Sequence, residues 1–357
     1  MKIKRILPLD SLRGISAVGI AFFWHYVHFR PTEFPFSKKA YWLYNYGFSF
    51  VDLFFILSGF VFCYVYKDKI INNKISFKDY AINRFSRLYP MMLLTLIYVA
   101  IVQSLRMSII HNFFQYPYND AWHFIMNIFC IQKGWVESGF SFNAPSWAIS
   151  CQIVTYIIFF ILLKKFNDNK KYFGAYIILI LIGLSVSKLK LKYPLFNVEM
   201  ARTFIGFFIG CFVYEFNNYI NKNKYKNKII CINLIILIGL IMSSSIYGHV
   251  ILGDWINVYR FYIYPSIILI SLNFKFINSI LSFKPLIYLG NISYSIYLVH
   301  FPIQLTIKTF DDIFKLNINY SSKLFFFSYI GITIIISVIL YELVEKKASK
   351  YLKNKFI

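Results

Sequence analysis

The chain has 357 residues, of which 58% are hydrophobic and 15% charged, whereas a soluble protein carries about 25% charged residues. Apolar stretches recur from end to end, which excludes an ordinary soluble enzyme and leaves no room for a large soluble domain. The net charge of +23 invites a nucleic-acid reading, but no basic groove with interleaved stacking aromatics accompanies it.

Ten apolar spans follow in order, at roughly 13–30, 47–66, 88–107, 146–164, 172–187, 200–216, 229–247, 258–273, 286–307 and 324–345. Several approach the ~20 residues that cross ~30 Å of hydrocarbon. The expected fold is all-α, a polytopic transmembrane helical bundle of about ten helices, forming a single membrane domain over 1–357. Trp122 to Ile131 is apolar but too short to cross, and is expected at the interface or as a re-entrant piece. The charged start and apolar run lack a small-residue cleavage site, so the first span reads as a retained helix.

The basic residues cluster between spans, at Lys2/Lys4/Arg5, Lys67 to Arg87, Lys164 to Lys171, Lys222 to Lys228 and Lys346 to Lys355. An N-in, C-in topology places 25 of the 38 Lys and Arg on the cytoplasmic side, as the positive-inside rule requires. The outer side holds acids such as Glu33, Asp120, Glu137, Asp254, Asp311 and Asp312. Its longest loop, 108–145, is rich in aromatics and reads either as an interfacial belt or as a platform for sugar rings. The five cysteines form no CxxC pair, and neither a metal site nor a disulfide framework is expected.

Ionisable residues inside spans are costly and so become candidates for function. In the first span Arg13 belongs at the cytoplasmic edge. His25 lies about 18 Å further along a helix, where it can act as a general base near neutral pH or bond a neighbouring carbonyl. Asp52, near the outer end of the second span, can orient a histidine or pair with an arginine. Ser58 and Gly59 read as a close helix-packing point. Arg84 and Arg87 are three apart, so on a helix they share a face. They form either a phosphate clamp or an ordinary positive-inside anchor. Trp147, Ser150 and Gln152 open the fourth span. The ninth is unusually polar, with Ser293, Ser295, Tyr297 and, toward its outer end, His300. Glu342 and Glu345 close the tenth, where Glu345 beside Lys346 and Lys347 is equally readable as a solvated cluster.

Together these segments resemble the acyltransferase-3 family of bacterial membrane O-acyltransferases. The resemblance covers nearly the whole chain. It rests on LDSLRG at 9–14, His25, VDLFFILSGF at 51–60, RFSRLYP at 84–90, SWAIS at 146–150, GNISYSIYLVHFP at 290–302 and Glu345. It implies His25 as the catalytic base, and Arg13 with Arg84 and Arg87 at the donor. It also implies acetyl-CoA or another acyl-CoA as donor substrate with no permanently bound cofactor, a glycan such as a polysaccharide or O-antigen unit as acceptor, and a place in the bacterial cell membrane. On this reading Asp52 orients or charge-stabilises His25, and Tyr297, Trp147 or a helix-end amide faces the developing oxyanion. Ser150, Gln152 and His300 are further candidates for the oxyanion or acceptor site.

Two departures from the family pattern stand out. Eleven residues separate Arg13 from His25 where the family has ten, which turns His25 by about 100° unless a π-bulge absorbs one residue or Arg13 precedes the helix proper. Gln152 occupies a position usually held by glutamate, and the appended esterase-like domain of some relatives is not expected here. Two other readings remain: a transporter or flippase of a lipid-linked sugar, and an inactive member of a glycan-assembly complex. No pair of Gly/Pro-broken helices in matching halves supports the first.

Overall fold

The computed structural model describes residues 5–166, 169–246 and 256–357. Lys2, Lys4, Asp254 and the expected end of the seventh span at 247 lie outside them. The described chain is an all-α polytopic bundle, and its one small sheet is a hairpin of Lys192–Tyr193 with Phe196–Asn197.

The first helix begins earlier than expected. α1 spans Leu7–Val18 with Pro8 in its first turn, where a missing N–H costs nothing. It continues through a π turn at Gly19–Phe23 and a 3-10 run at Trp24–Phe29. Next come α2 (Tyr41–Tyr46) and α3 (Phe50–Ile71). α4 (Phe77–Ile110) is capped by Ser76, whose Oγ accepts the Asp79 N–H at 3.0 Å. It starts well before the expected 88, so Arg84 and Arg87 lie on the helix itself. The short apolar piece of the outer loop is α5 (Ala121–Ile128), capped by Asp120.

α6 (Trp147–Lys165), α7 (Asn169–Leu189), α8 (Val198–Lys222) and α9 (Lys226–Ile246) follow. α10 (Ile256–Asn273) contains a second π turn, Tyr259–Ile263, and meets α11 (Lys275–Leu281) at a 93° bend. The expected ninth span is not one straight helix. α12 (Lys284–Asn291) and α13 (Ser293–Phe314) meet at 61°. The Ser293 hydroxyl donates to the Gly290 carbonyl at 2.8 Å, occupying an acceptor left over at the end of α12. α14 (Lys323–Leu340) runs through a π turn, Tyr341–Glu345, into the basic α15 (Lys346–Phe356).

Five helical stretches are long and apolar enough to cross a membrane alone: Tyr41–Ile71, Phe77–Ile110, Ala144–Lys165, Lys171–Leu189 and Lys323–Phe356. The two bent pairs qualify as joined helices. The first, sixth and seventh expected spans are helical but do not meet that measure over the described residues.

Without a hydrophobic drive between helices in lipid, close packing depends on small residues. Gly59 of α3 lies against the Phe207 carbonyl of α8, while Gly206 and Gly210 of α8 lie against Phe55 and Ile56. A methyl group at Gly59 or Gly210 would collide with backbone, so the expected packing role of Gly59 is met. Gly14 and Gly290 bring α1 and α12 together in the same way: a β-carbon at Gly14 would stand 2.7 Å from the Gly290 nitrogen.

Candidate active site

The π turn and the 3-10 run free backbone carbonyls that an α-helix would use internally. Other helices supply the donors. Tyr329 Oη donates to the Ala21 carbonyl at 3.1 Å, and Gln304 Nε2 to the His25 carbonyl at 2.9 Å. The irregular stretch is thereby held, and its Tyr26 packs edge-on against Phe326 and its Phe29 against Tyr329.

His25 meets His300 of α13, with Nδ1 and Nε2 2.7 Å apart. Their ring centroids are 4.9 Å apart and their planes differ by 13°. With the nitrogens so much closer than the centroids, the rings lie end to end in nearly one plane rather than face to face. His28, one turn further along, bonds Gln304 Oε1 through Nδ1 at 2.9 Å. His28 and His300 are buried, whereas His25 keeps part of its ring accessible. Its Nε2 has no hydrogen-bond partner among the described residues.

Arg13, Arg84, Arg87, Gln152, Tyr156 and Tyr297 line one cavity of about 100 Å³, otherwise walled mainly by apolar side chains of α3. Arg13 and Arg87 also line a wider neighbouring cavity of about 640 Å³, together with Arg5, Lys350, Lys353 and Glu345. The second cavity is strongly basic. Tyr297, in the lining of the first, has a buried hydroxyl with no partner, and its ring lies 6.0 Å from that of His300. His25 itself lines neither cavity.

Arg84 is only partly free to meet a ligand. It donates to the Tyr66 hydroxyl and lies over the Phe62 and Tyr66 rings. Gln152 Oε1 accepts from Tyr156 Oη at 2.9 Å, and that hydroxyl is 3.2 Å from Ser58 Oγ. Ser58 thus faces the cavity rather than serving only as a packing point. Glu345 is not solvated. It is 4% exposed and accepts from Ser295 Oγ at 2.8 Å, while Glu342 forms the solvent-facing pair with Lys346.

Of the two roles expected for Asp52, the structure shows the arginine pairing rather than a contact with a histidine. Asp52 is fully buried, with Arg202 Nη2 at 2.8 Å from Oδ2 and Arg260 Nε at 2.8 Å from Oδ1. A buried carboxylate needs such partners, and here they tie α3 to α8 and α10. Trp147 lies under the Arg202 guanidinium at 5.6 Å. Ser150 is buried and its hydroxyl is unpartnered. Neither lines the two cavities. His300 is fully buried, with its Nε2 on His25. His28, Gln304, Arg202, Arg260 and Tyr156 had not been singled out. The one sequence signal for His28 is its three-residue offset from His25, which places both on one side of a helix.

A polytopic helical bundle with a part-buried histidine pair beside an arginine-lined cavity defines the class. The chain belongs to the acyltransferase-3 family, whose sequence profile, described as an acyltransferase domain, matches residues 6–342. It is 25% identical over 342 residues to the peptidoglycan O-acetyltransferase OatA of Listeria monocytogenes serovar 1/2a, covering 84% of this chain and 49% of that protein. It is 35% identical over 97 residues to protein 2 in the picA locus of Rhizobium radiobacter, covering 27% of this chain and 45% of that protein. The chain thus spans about half the length of the curated relatives it matches. No solved structure matches it.

Proposed function

We propose that the protein transfers an acyl group, in the first instance acetyl from acetyl-CoA, to a hydroxyl of a cell-envelope glycan at the bacterial cell membrane. The observation that carries this reading is the sharing of Arg13 and Arg87 by the larger basic cavity and the smaller, mostly apolar one that Tyr297 lines. A coenzyme A thioester has a polyanionic nucleotide head and a thin, uncharged arm. The head suits the Arg5, Lys350 and Lys353 side, with Arg13 and Arg87 at the neck. The arm suits the smaller, mostly apolar cavity.

His25 Nε2 removes the proton of the glycan hydroxyl as its oxygen attacks the thioester carbonyl. The C–O bond forms, and the Tyr297 hydroxyl is the donor for the developing oxyanion. The C–S bond breaks, and the thiolate takes the proton back from His25. The name of the Listeria relative supports an acetyl group and a peptidoglycan-like acceptor.

The bends at 274 and 292 fall in consecutive spans rather than in matching halves, which gives the transporter reading no support. The test is purified protein in nanodiscs with labelled acetyl-CoA and peptidoglycan fragments. Acceptor-dependent CoA release that His25→Ala abolishes is expected. Full activity of that variant, or none in the parent protein, overturns the reading.

A further inference from the structure

We propose that His300 is a positioning residue that fixes the tautomer of His25, accepting the His25 Nδ1–H and so leaving Nε2 as the base. This rests on the transfer reading above and adds the group that holds its base.

The assignment follows from backbone carbonyls, which can only accept. The Ile296 carbonyl faces His300 Nδ1 at 3.2 Å, so His300 Nδ1 carries the proton and its Nε2 has a lone pair. That lone pair faces His25 Nδ1 at 2.7 Å, so His25 Nδ1 is the donor and its Nε2 is bare. The in-plane, end-to-end arrangement of the rings aims the N–H along the lone pair. A second carbonyl fixes the neighbour independently. Gln304 must turn its amide nitrogen to the His25 carbonyl, so its Oε1 faces His28, and His28 also carries its proton on Nδ1. Three rings are thus set by two carbonyls.

When His25 Nε2 takes the alcohol proton, its Nδ1–H bond becomes charge-assisted. The Nδ1 proton can then shift toward His300 Nε2, spreading the imidazolium charge over two rings, with the Ile296 carbonyl at the far end. The proton returns when Nε2–H is given to the leaving thiolate. In holding the tautomer and orientation of His25, His300 does what a carboxylate does in a Ser-His-Asp triad, without placing a negative charge in the bundle. Asp52, the carboxylate near the outer end of α3, is held by its two arginines instead.

Two measurements decide it. In protein carrying nitrogen-15 histidine, NMR is expected to show neutral His25 as the Nδ1–H form, and His300→Leu to release that preference. Parent protein with His25 as the Nε2–H form overturns the proposal, whether or not the protein is active. In turnover assays His300→Leu is expected to lower kcat by about 100-fold or more while the donor KM stays within about twofold. His300→Gln, whose carbonyl can accept from Nδ1, is expected to recover most of that loss. Unchanged kcat in His300→Leu, or a Gln variant as impaired as the Leu one, overturns the positioning role. A parent protein that shows the predicted tautomer but no acyl transfer overturns the transfer reading alone.

Discussion

Arg13 and His25 stand twelve positions apart on one helix, and the π turn Gly19–Phe23 lies between them. The turn accommodates one residue more than an α-helical turn. Both ends of the stretch meet the same bent unit: Gly14, beside Arg13, packs on Gly290 of α12, while His25 meets His300 of α13. Arg13 lies inside the helix, so the other repair expected for the spacing, an arginine ahead of the helix, is not the one used.

The turn can be removed without moving the two ends. Deleting Ala21 is expected to convert the π turn to regular helix and to retain at least about a tenth of parental CoA release. Adding one alanine after Ala21 turns His25 by about 100° and is expected to abolish release. The acceptor-dependent assay checks both. An inactive deletion beside an active insertion would falsify the role given to the turn.

Arg87 lines both cavities, so its removal tests donor binding. A hydrogen bond to a charged group contributes about 1.5–3 kcal/mol. Arg87→Ala is therefore expected to raise the KM for acetyl-CoA by about 10- to 100-fold, with kcat changed only a few-fold. Arg84 is already engaged by Tyr66 and Phe62, so Arg84→Ala is expected to raise KM less and to lower thermal stability more. Equal KM effects without any stability difference would remove the distinction.

Asp52 gives a different outcome. Removing one member of a buried ion cluster costs about 3–5 kcal/mol, whereas replacing the whole cluster by apolar groups is often neutral. Asp52→Asn is expected to lower the melting temperature in detergent clearly. The triple change Asp52→Leu, Arg202→Met, Arg260→Met is expected to regain most of that loss. Protein that remains folded is expected to turn over within a few-fold of the parent. A loss of kcat at unchanged stability would return Asp52 to the catalytic group.

The existence of the helices was legible because hydrocarbon thickness makes each apolar run a length signal, and the glycine of the 51–60 segment was legible because only a missing side chain permits such contact. What remained hidden depends on partners remote in sequence. Arg202 and Arg260 reach Asp52 across 150 and 208 positions, and His300 reaches His25 across 275. Nothing local announces such pairs. The polar first turns of α4 carry Arg84 and Arg87 below the apolar window, so hydropathy began the helix too late. Glu345, flanked by lysines, was ambiguous until Ser295 was seen beside it. The bend at Ile292 was passed over although Gly290, Asn291 and Ser293 are poor helix formers, because the apolar residues on both sides read as one span.

Glu137 in the outer loop supplies a pH-dependent test. Burial pushes its carboxyl up to about 7 from an ordinary 4.5, while the bond from Ser141 Oγ at 2.6 Å works the other way. Asn127 Nδ2 donates to the same carboxylate at 3.3 Å, and His123, Asp120 and Lys133 are the charged or titratable neighbours. Between about pH 4.5 and 7 the folded loop therefore holds a proton that the unfolded chain has released. Stability rises with pH only where the unfolded state binds more protons, so here the sign is reversed. The contribution of Glu137 is full below about pH 4.5 and falls as pH rises through about 7. Glu137→Gln, which keeps an acceptor for Ser141 and carries no charge, is expected to gain stability over the parent at pH 8 and to match it at pH 5. Melting curves at the two pH values, or hydrogen exchange of the 111–143 loop, measure it. A variant equally stable relative to the parent at both pH values would show that this carboxyl is ionised in the folded protein throughout.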